Sequence, residues 1–222
     1  MQRLAMYSDQ VIPENNKVDA RLLELMSAGE GRIGYVPSGP EPDRRFFRER
    51  RTYYSRLDLD LSFFFDPYGS PVRDHLAALL DCDAIHLSGG QTRPFLQVLK
   101  SKNLIAPIAD WARNGGVLIG TSAGAILMTP TVALDALFTG EDPATVPGGN
   151  ALDLVPFEFF PHLNKNPDYL QQLLSYSAKT TRRIAACRDG EGVIVSGDVV
   201  ESVGDVVWIQ SGSIVEPHEM NG

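Results

Sequence analysis

A serine set between glycines, in Gly120-Thr121-Ser122-Ala123-Gly124, is the stretch of this chain best suited to covalent chemistry. The G-x-S-x-G spacing lets the backbone turn sharply about the serine, because glycine adopts angles that a Cβ forbids. Ser122 is then lifted clear as a nucleophile. The residue after it, Ala123, can donate its N–H to the oxyanion that forms when a carbonyl is attacked. The same pattern also occurs in plain tight turns, so context matters. Here Val117 to Ile119 follows Gly115-Gly116 and is too short and too β-branched for a helix, which predicts a buried parallel strand. Ala123 to Met128 has helix-forming composition, so a strand enters the serine turn and a helix leaves it.

A serine hydroxyl needs a general base, and histidine serves best near neutral pH. The chain has four. His75 falls within a predicted helix, His86 inside a predicted buried strand, and His218 four residues from the end of the sequence. His162 closes an apolar strand and opens a polar loop, a position from which side chains reach a sheet edge, so it is the first candidate and His218 the second. The base needs a carboxylate to hold its tautomer. Asp189 follows the predicted strand Arg183 to Cys187, although Asp-Gly is also a favoured turn pair. Glu191, Asp135 and Asp153 stay open as substitutes. A second glycine turn, Gly89-Gly90-Gln91-Thr92, follows the predicted strand Ala84 to Ser88. There Gly90 is a candidate second oxyanion donor, beside the alternative of an ordinary strand-to-helix turn.

These residues need a frame that brings them to one edge. Leu4 to Tyr7, Ile33 to Pro37, Leu59 to Phe65, Ala84 to Ser88 and the strand from Val117 read as strands. Helices are predicted at Val18 to Met26, Asp43 to about Leu57, Val72 to Leu80, Thr92 to Lys100 and Ile105 to Arg113. Such alternation is the pattern of an α/β doubly wound, mostly parallel sheet, in which ligands bind beyond the carboxyl ends of the strands. Thr139 to Asn150, rich in Gly, Pro, Asp and Thr, reads as a surface loop that could act as a lid. Leu154 to Phe160 is a further strand and Asp168 to about Lys179 a helix. The tail, with Val193 to Val195, Val199 to Val203 and Val206 to Val215, predicts antiparallel strands at the C-terminal end, on one side of the sheet.

At 222 residues one domain, 1–222, accounts for the chain. The net charge of -8 argues against nucleic acid or an anionic membrane as the main partner. The arginine-aromatic stretch from Arg44 to Arg56 does not overturn that expectation, since a solvated or subunit-contacting helix explains it equally well. Cys82 and Cys187 are far apart and show no metal-ligand spacing, so neither a disulfide framework nor a metal site is expected. The start MQRLAMYSDQ has no apolar signal core, and no apolar run is long enough for a bilayer. A cytoplasmic protein is expected.

The strand-GGQT-helix segment, GTSAG, an aromatic strand ending FFPHLN, and CRDG, in this order, resemble the peptidase E family of serine peptidases, related to cyanophycinases. The resemblance covers nearly the whole chain. It implies a fold like that of class I glutamine amidotransferases, a homodimer, and cleavage of dipeptides with an N-terminal aspartate; the acyl transfer itself is expected to need no cofactor. It places nucleophile, base and acid on Ser122, His162 and Asp189, and oxyanion and substrate contacts on Gly89, Gly90, Gln91 and Ala123. The chain departs from the family pattern in three ways. Arg188-Asp189-Gly190 stands where typical members have Pro-Glu-Gly. Asn166-Pro167-Asp168 stands where aspartate-specific members have an arginine, with Lys165 as the nearby cation. The sequence also ends soon after Val215, so a pocket wall built by a C-terminal extension is expected to be missing.

The expected chemistry is acyl transfer from a small peptide to water through an acyl-enzyme. One rival is an esterase-like hydrolase using His218, with chain order nucleophile, acid, histidine. The other is a non-catalytic small-molecule binding protein.

Overall fold

The computed structural model describes residues 1–26, 31–69, 72–146 and 149–216. Its elements, in chain order, are β1 (Arg3–Tyr7), α1 (Asn16–Met26), β2 (Arg32–Val36), α2 (Arg45–Ser55), β3 (Asp60–Phe64), α3 (Val72–Leu80), β4 (Ala84–Leu87), α4 (Thr92–Ser101), α5 (Ile105–Arg113), β5 (Val117–Thr121) and the short α6 (Ala123–Ile126). Then come β6 (Phe157–Phe160), α7 (Tyr169–Ser177), β7 (Arg183–Ala186), β8 (Gly192–Ser196), β9 (Val199–Val203), β10 (Val207–Gln210) and β11 (Ser213–Val215).

The strands form two sheets. The larger has the order β3-β2-β4-β5-β1-β8-β9, parallel from β3 to β1 and antiparallel at β8 and β9. The smaller has the order β11-β10-β7-β6, with β6 and β7 parallel and the rest antiparallel. The predicted tail strands thus do not lie together on one side of a single sheet. β8 and β9 extend the large sheet from β1, while β10 and β11 join β7 in the second.

Strand periodicity explains the layers, because successive side chains point to opposite faces. Leu4 and Met6 of β1 and Leu118 of β5 pack with α4, α5 and the inner face of the small sheet, through Phe157, Phe159, Ala185 and Trp208. Ala5, Tyr7, Val117 and Ile119 pack on the other face with α1 and α2. The small sheet repeats the pattern outward, with Phe160, Ile184 and Ile209 covered by Leu173 of α7 and by Leu134 and Leu137. Each face of the small sheet is therefore buried and largely apolar, with Glu158 of β6 enclosed on the outer one.

Local differences from the sequence pattern have local causes. β6 begins at Phe157 and not at Leu154, directly after Pro156, which has no N–H to give a ladder. The predicted helix after Ser122 stops at Ile126 and is followed by tight turns. Helix α2 buries Phe47, Tyr53 and Tyr54, while Arg44 stacks on Phe64 and Arg50 on Tyr53. The predicted cap Asp43 accepts the N–H of Arg45, although the cap residue itself is Arg44. Within 139–150, Glu141 pairs with Arg93 and Asp142 with Lys179, tying the loop to α4 and α7. Among the described residues no helix is long and apolar enough to cross a membrane.

Candidate active site

Strand β5 is fully buried and delivers Ser122 at its carboxyl end. Ser122 has φ 50° and ψ −108°, a conformation that L-residues seldom adopt and that the surroundings must enforce. Its N–H donates to Tyr7 O at 2.9 Å, and its carbonyl accepts the N–H groups of Ala125 and Ile126, both at 3.0 Å. The flanking glycines make the turn possible. A Cβ on Gly120 would lie 2.6 Å from Gly124 O, and one on Gly124 would lie 2.1 Å from Leu87 O. Ala123 opens α6, so its N–H is one of those a helix start leaves without an internal partner.

Gly89 and Gly90 follow β4 and stand against the serine. A Cβ on Gly89 would be 3.7 Å from Ser122 Cβ. Gly90 has φ +142°, and a Cβ there would meet Ser38 Oγ at 2.1 Å. Ser38 Oγ donates to Gly89 O at 2.6 Å, and Ser88 Oγ lies 3.3 Å from the same oxygen. In a trans peptide the C=O and N–H point in opposite directions, so these contacts aim the Gly90 N–H the other way. Gln91 is the exposed cap residue of α4.

His162 follows β6 with left-handed angles, φ 60° and ψ 32°. Its N–H donates to Ser8 Oγ at 2.8 Å, and Ser8 Oγ donates in turn to Cys187 O at 3.2 Å. The ring is thereby placed between two partners. His162 Nε2 lies 2.9 Å from Ser122 Oγ, and Nδ1 lies 2.6 Å from Asp189 Oδ1. An ionised Asp189 requires Nδ1 to carry the proton, which leaves Nε2 to accept from the serine. Lys165 Nζ stands 2.6 Å from Asp189 Oδ2. Burial pushes the Asp189 carboxyl up, but the hydrogen bonds and charges of Lys165 and His162 outweigh it and hold it below the ordinary carboxylate value. Lys165 is raised by the same contact.

The other candidates lie elsewhere. His75 is exposed on α3. His86 is 1% exposed, with Nδ1 2.8 Å from Tyr54 Oη, and burial together with the Arg50 charge pushes its pKa well below the ordinary value. His218 lies outside the described residues. Asp135 pairs with Arg93 at 3.3 Å, Asp153 is exposed, and Glu191 accepts the N–H groups of Arg188 and Asp205. Asp9, His162 and Asp189 hold atoms able to ligate a metal within 4.8 Å of one another, a cluster the sequence spacing did not suggest. Both oxygens of Asp189 and both ring nitrogens of His162 already have protein partners, and Asp9 Oδ1 accepts the Gln10 N–H at 2.7 Å.

Two cavities flank the serine. One of about 440 Å³ is lined by residues including Asp9, Tyr35, Arg50 and His86, the other of about 470 Å³ by Gln91, Arg93, Asp135 and Phe138 among others. Gly90, Ser122 and His162 line both. Sequence reasoning missed Ser8, Asp9 and Ser38. All three follow the carboxyl ends of parallel strands, β1 and β2, and the rule applied to β4 and β5 would have found them.

Fold and site together define a class: a doubly wound α/β protein with a strained serine elbow and a histidine and carboxylate aligned behind it. The model of peptidase family S51 matches residues 5–203, and the chain belongs to that family. Peptidase E of Salmonella newport strain SL254 is 39% identical over 92 residues, covering 41% of this chain and 38% of that protein. Peptidase E of Salmonella typhi is 31% identical over 150 residues, covering 62% of this chain and 63% of that protein. These matches span less than two thirds of the relatives' length. Two solved structures share the fold. A candidate peptidase E from Listeria monocytogenes EGD-e has a TM-score of 0.71 at 22% identity, over 91% of this chain and 98% of its own. A peptidase from an acI-B1 Actinobacterium has a TM-score of 0.70 at 17% identity, over 97% of each chain.

Proposed function

We propose that this chain is a serine peptidase that hydrolyses short peptides, with Ser122 as nucleophile, His162 as general base and acid, and Asp189 as the carboxylate that orients His162. The observation that carries this reading is the aligned pair of contacts, 2.9 Å from Ser122 Oγ to His162 Nε2 and 2.6 Å from His162 Nδ1 to Asp189 Oδ1. As the serine oxygen attacks the peptide carbonyl, Nε2 takes its proton. The tetrahedral oxyanion is held by the N–H groups of Gly90 and Ala123. The imidazolium then protonates the departing amine, leaving an acyl-enzyme. A water, deprotonated by His162, attacks this ester and releases the acid and free Ser122. The homodimer that the family resemblance implies and a cytoplasmic setting, expected from the cysteine usage, belong to this reading, and light scattering of the purified chain checks the first.

Asp-Xaa dipeptides are the proposed substrates. A substrate carboxylate leaving water needs a cation. Lys165, the cation nearest in sequence, is engaged by Asp189. Arg50 is the one arginine or lysine lining the 440 Å³ cavity, which Asp9, Glu41 and Glu49 also line; it donates to Gln10 O at 3.3 Å and has no ion pair among the described residues. Its charge in that cavity supports an acidic side chain on the acyl side of the cleaved bond. The test is a panel of Asp-Xaa, Glu-Xaa and neutral dipeptides, with Ser122→Ala as control. Cleavage confined to Asp-Xaa and abolished in the variant is expected. Full turnover by Ser122→Ala sinks the mechanism, whereas equal rates on neutral dipeptides sink only the specificity. Absence of fluorophosphonate labelling at Ser122 would favour a binding protein.

A further inference from the structure

Lys165 touches Asp189 at the oxygen that His162 does not use. Its Nζ is 2.6 Å from Oδ2, while Oδ1 of the same carboxylate is 2.6 Å from His162 Nδ1. The contact is built by one turn of chain. Lys165 N–H donates to His162 O at 2.9 Å, closing the 3-10 turn Leu163–Lys165, and residues three apart in such a turn stand over one another. Asn164, between them, accepts the Asp189 N–H at 2.9 Å and brings its Nδ2 to 3.5 Å from Oδ2. The turn that begins at the histidine therefore grips the acid behind it.

A carboxylate held at one oxygen can still rotate about its last side-chain bond, since that torsion is broad. Held at both, it presents Oδ1 to Nδ1 in one orientation. Charge matters as well. Asp9, from the loop after β1, has a carboxylate oxygen within 4.8 Å of the ligating atoms of His162 and Asp189, and its charge also acts on Lys165. Glu14 approaches from the segment before α1, where its Cβ would lie 3.1 Å from a Cβ on Gly190. On the loop of Asp189 itself, Arg188 and Glu191 face each other at 3.6 Å. On the remaining side the uncharged ring of Phe138 meets His162 edge-on at 6.2 Å. Lys165 is thus the cation in contact with the carboxylate beside the imidazole, and two carboxylates without it would favour the protonated ring. A protonated ring cannot take the serine proton.

On the serine-peptidase reading given above, we propose that Lys165 is a positioning residue: its ammonium, seated on Oδ2, fixes Asp189 against His162 Nδ1 and balances one of the two carboxylates that stand beside the ring. The probe is the rate at which a fluorophosphonate labels Ser122, which needs no knowledge of the peptide substrate. The rate is followed from about pH 5 to about pH 9 for the full chain, for Lys165→Met and for Lys165→Arg, with melting temperature measured in parallel. Removing the charge is expected to move the midpoint of the rising limb upward by roughly half a pH unit. The plateau is expected to fall roughly tenfold, as for loss of one charge-assisted contact in the transition state. Lys165→Arg restores both. A midpoint that stays in place or moves down in Lys165→Met, or a loss that arginine does not rescue, overturns the proposal. A wild-type chain that never labels at Ser122, or labels equally after His162→Ala, overturns the serine-peptidase reading and the Lys165 proposal with it.

Discussion

The two halves of the candidate site are held by different physics. On the side of the large sheet, Ser122 is placed by backbone sterics: a buried strand, a strained φ of 50° and two glycines packed onto neighbouring main chain. On the side of the small sheet, His162 and Asp189 are placed by side chains, namely Ser8, Asn164 and Lys165, with 23% and 17% of their own side-chain surface exposed. A steric mount fails abruptly when a single atom is added. A mount made of hydrogen bonds and charges weakens by degrees and responds to pH.

The largest contrast should appear in Ser122→Ala. Peptide turnover is expected to fall by about 10⁴-fold or more, with the melting temperature nearly unchanged, because the elbow is made by its neighbours and not by the hydroxyl. Kinetics and calorimetry on one preparation measure both. Gly124→Ala tests the steric mount directly. Its new Cβ would sit 2.1 Å from Leu87 O and 2.7 Å from Leu87 C, both backbone atoms, so a loss of about 3 kcal/mol or more is expected in urea unfolding.

On the other side, Glu158 of β6 offers a test through pH. It is 1% exposed, Tyr176 Oη donates to its Oε1 at 3.1 Å, and Oε2 has no hydrogen-bond partner among the described residues. Burial raises its pKa to about 7. The folded state therefore holds a proton that the unfolded chain releases near pH 4.3, and stability should fall as pH rises from there to about 7, then level off. A shift of this size corresponds to roughly 3 kcal/mol, and Glu158→Gln should lack that part of the slope. Denaturant titrations at several pH values would show it.

Ser8→Ala removes the acceptor of the His162 N–H, a hydrogen bond of 2.8 Å. About 1 kcal/mol of stability and roughly tenfold in turnover are expected, far less than for either glycine or serine change opposite. An effect as large as that of Gly124→Ala would erase the distinction between the two mounts. The smallest effect on stability concerns Asp189. Its pKa is depressed in the folded chain, so its stabilising share is present above the unfolded carboxylate pKa and is lost as pH falls through the lower folded value. Asp189→Asn should accordingly flatten the acid end of the stability curve, measured below about pH 4.

Much of the large sheet was legible because β1, β2, β4 and β5 are short, mostly apolar runs between turn signals, and parallel strands buried on both faces read that way. The tail was not. Val193 to Val195 and Val206 to Val215 have similar compositions, yet β8 pairs with β1 while β10 pairs with β7. Pairing partners depend on which edges are open when the chain folds back, and side-chain periodicity carries no record of them.

For the site, the sequence alone pointed to the elbow through the strand, the two glycines and the serine; of the two glycines, Gly120 is constrained within five residues, by Gly124 O, whereas Gly124 is constrained by Leu87 of β4. The sequence also ranked His162 first among the four histidines, ahead of His218, because it closes a strand, and Asp189 ahead of Glu191, Asp135 and Asp153, and the fold brings His162 and Asp189 together. Only the tertiary structure decided how that histidine is held. Ser8 and His162 are separated by 154 residues, and the Ser8 contact to Cys187 spans 179. Lys165 is three residues from His162, yet its engagement with Asp189 required the loop after β7 to arrive beside the turn after β6. Sterics between adjacent residues are written into the order of the chain; charges and hydrogen bonds between distant ones exist only once the fold has brought their strands and loops side by side.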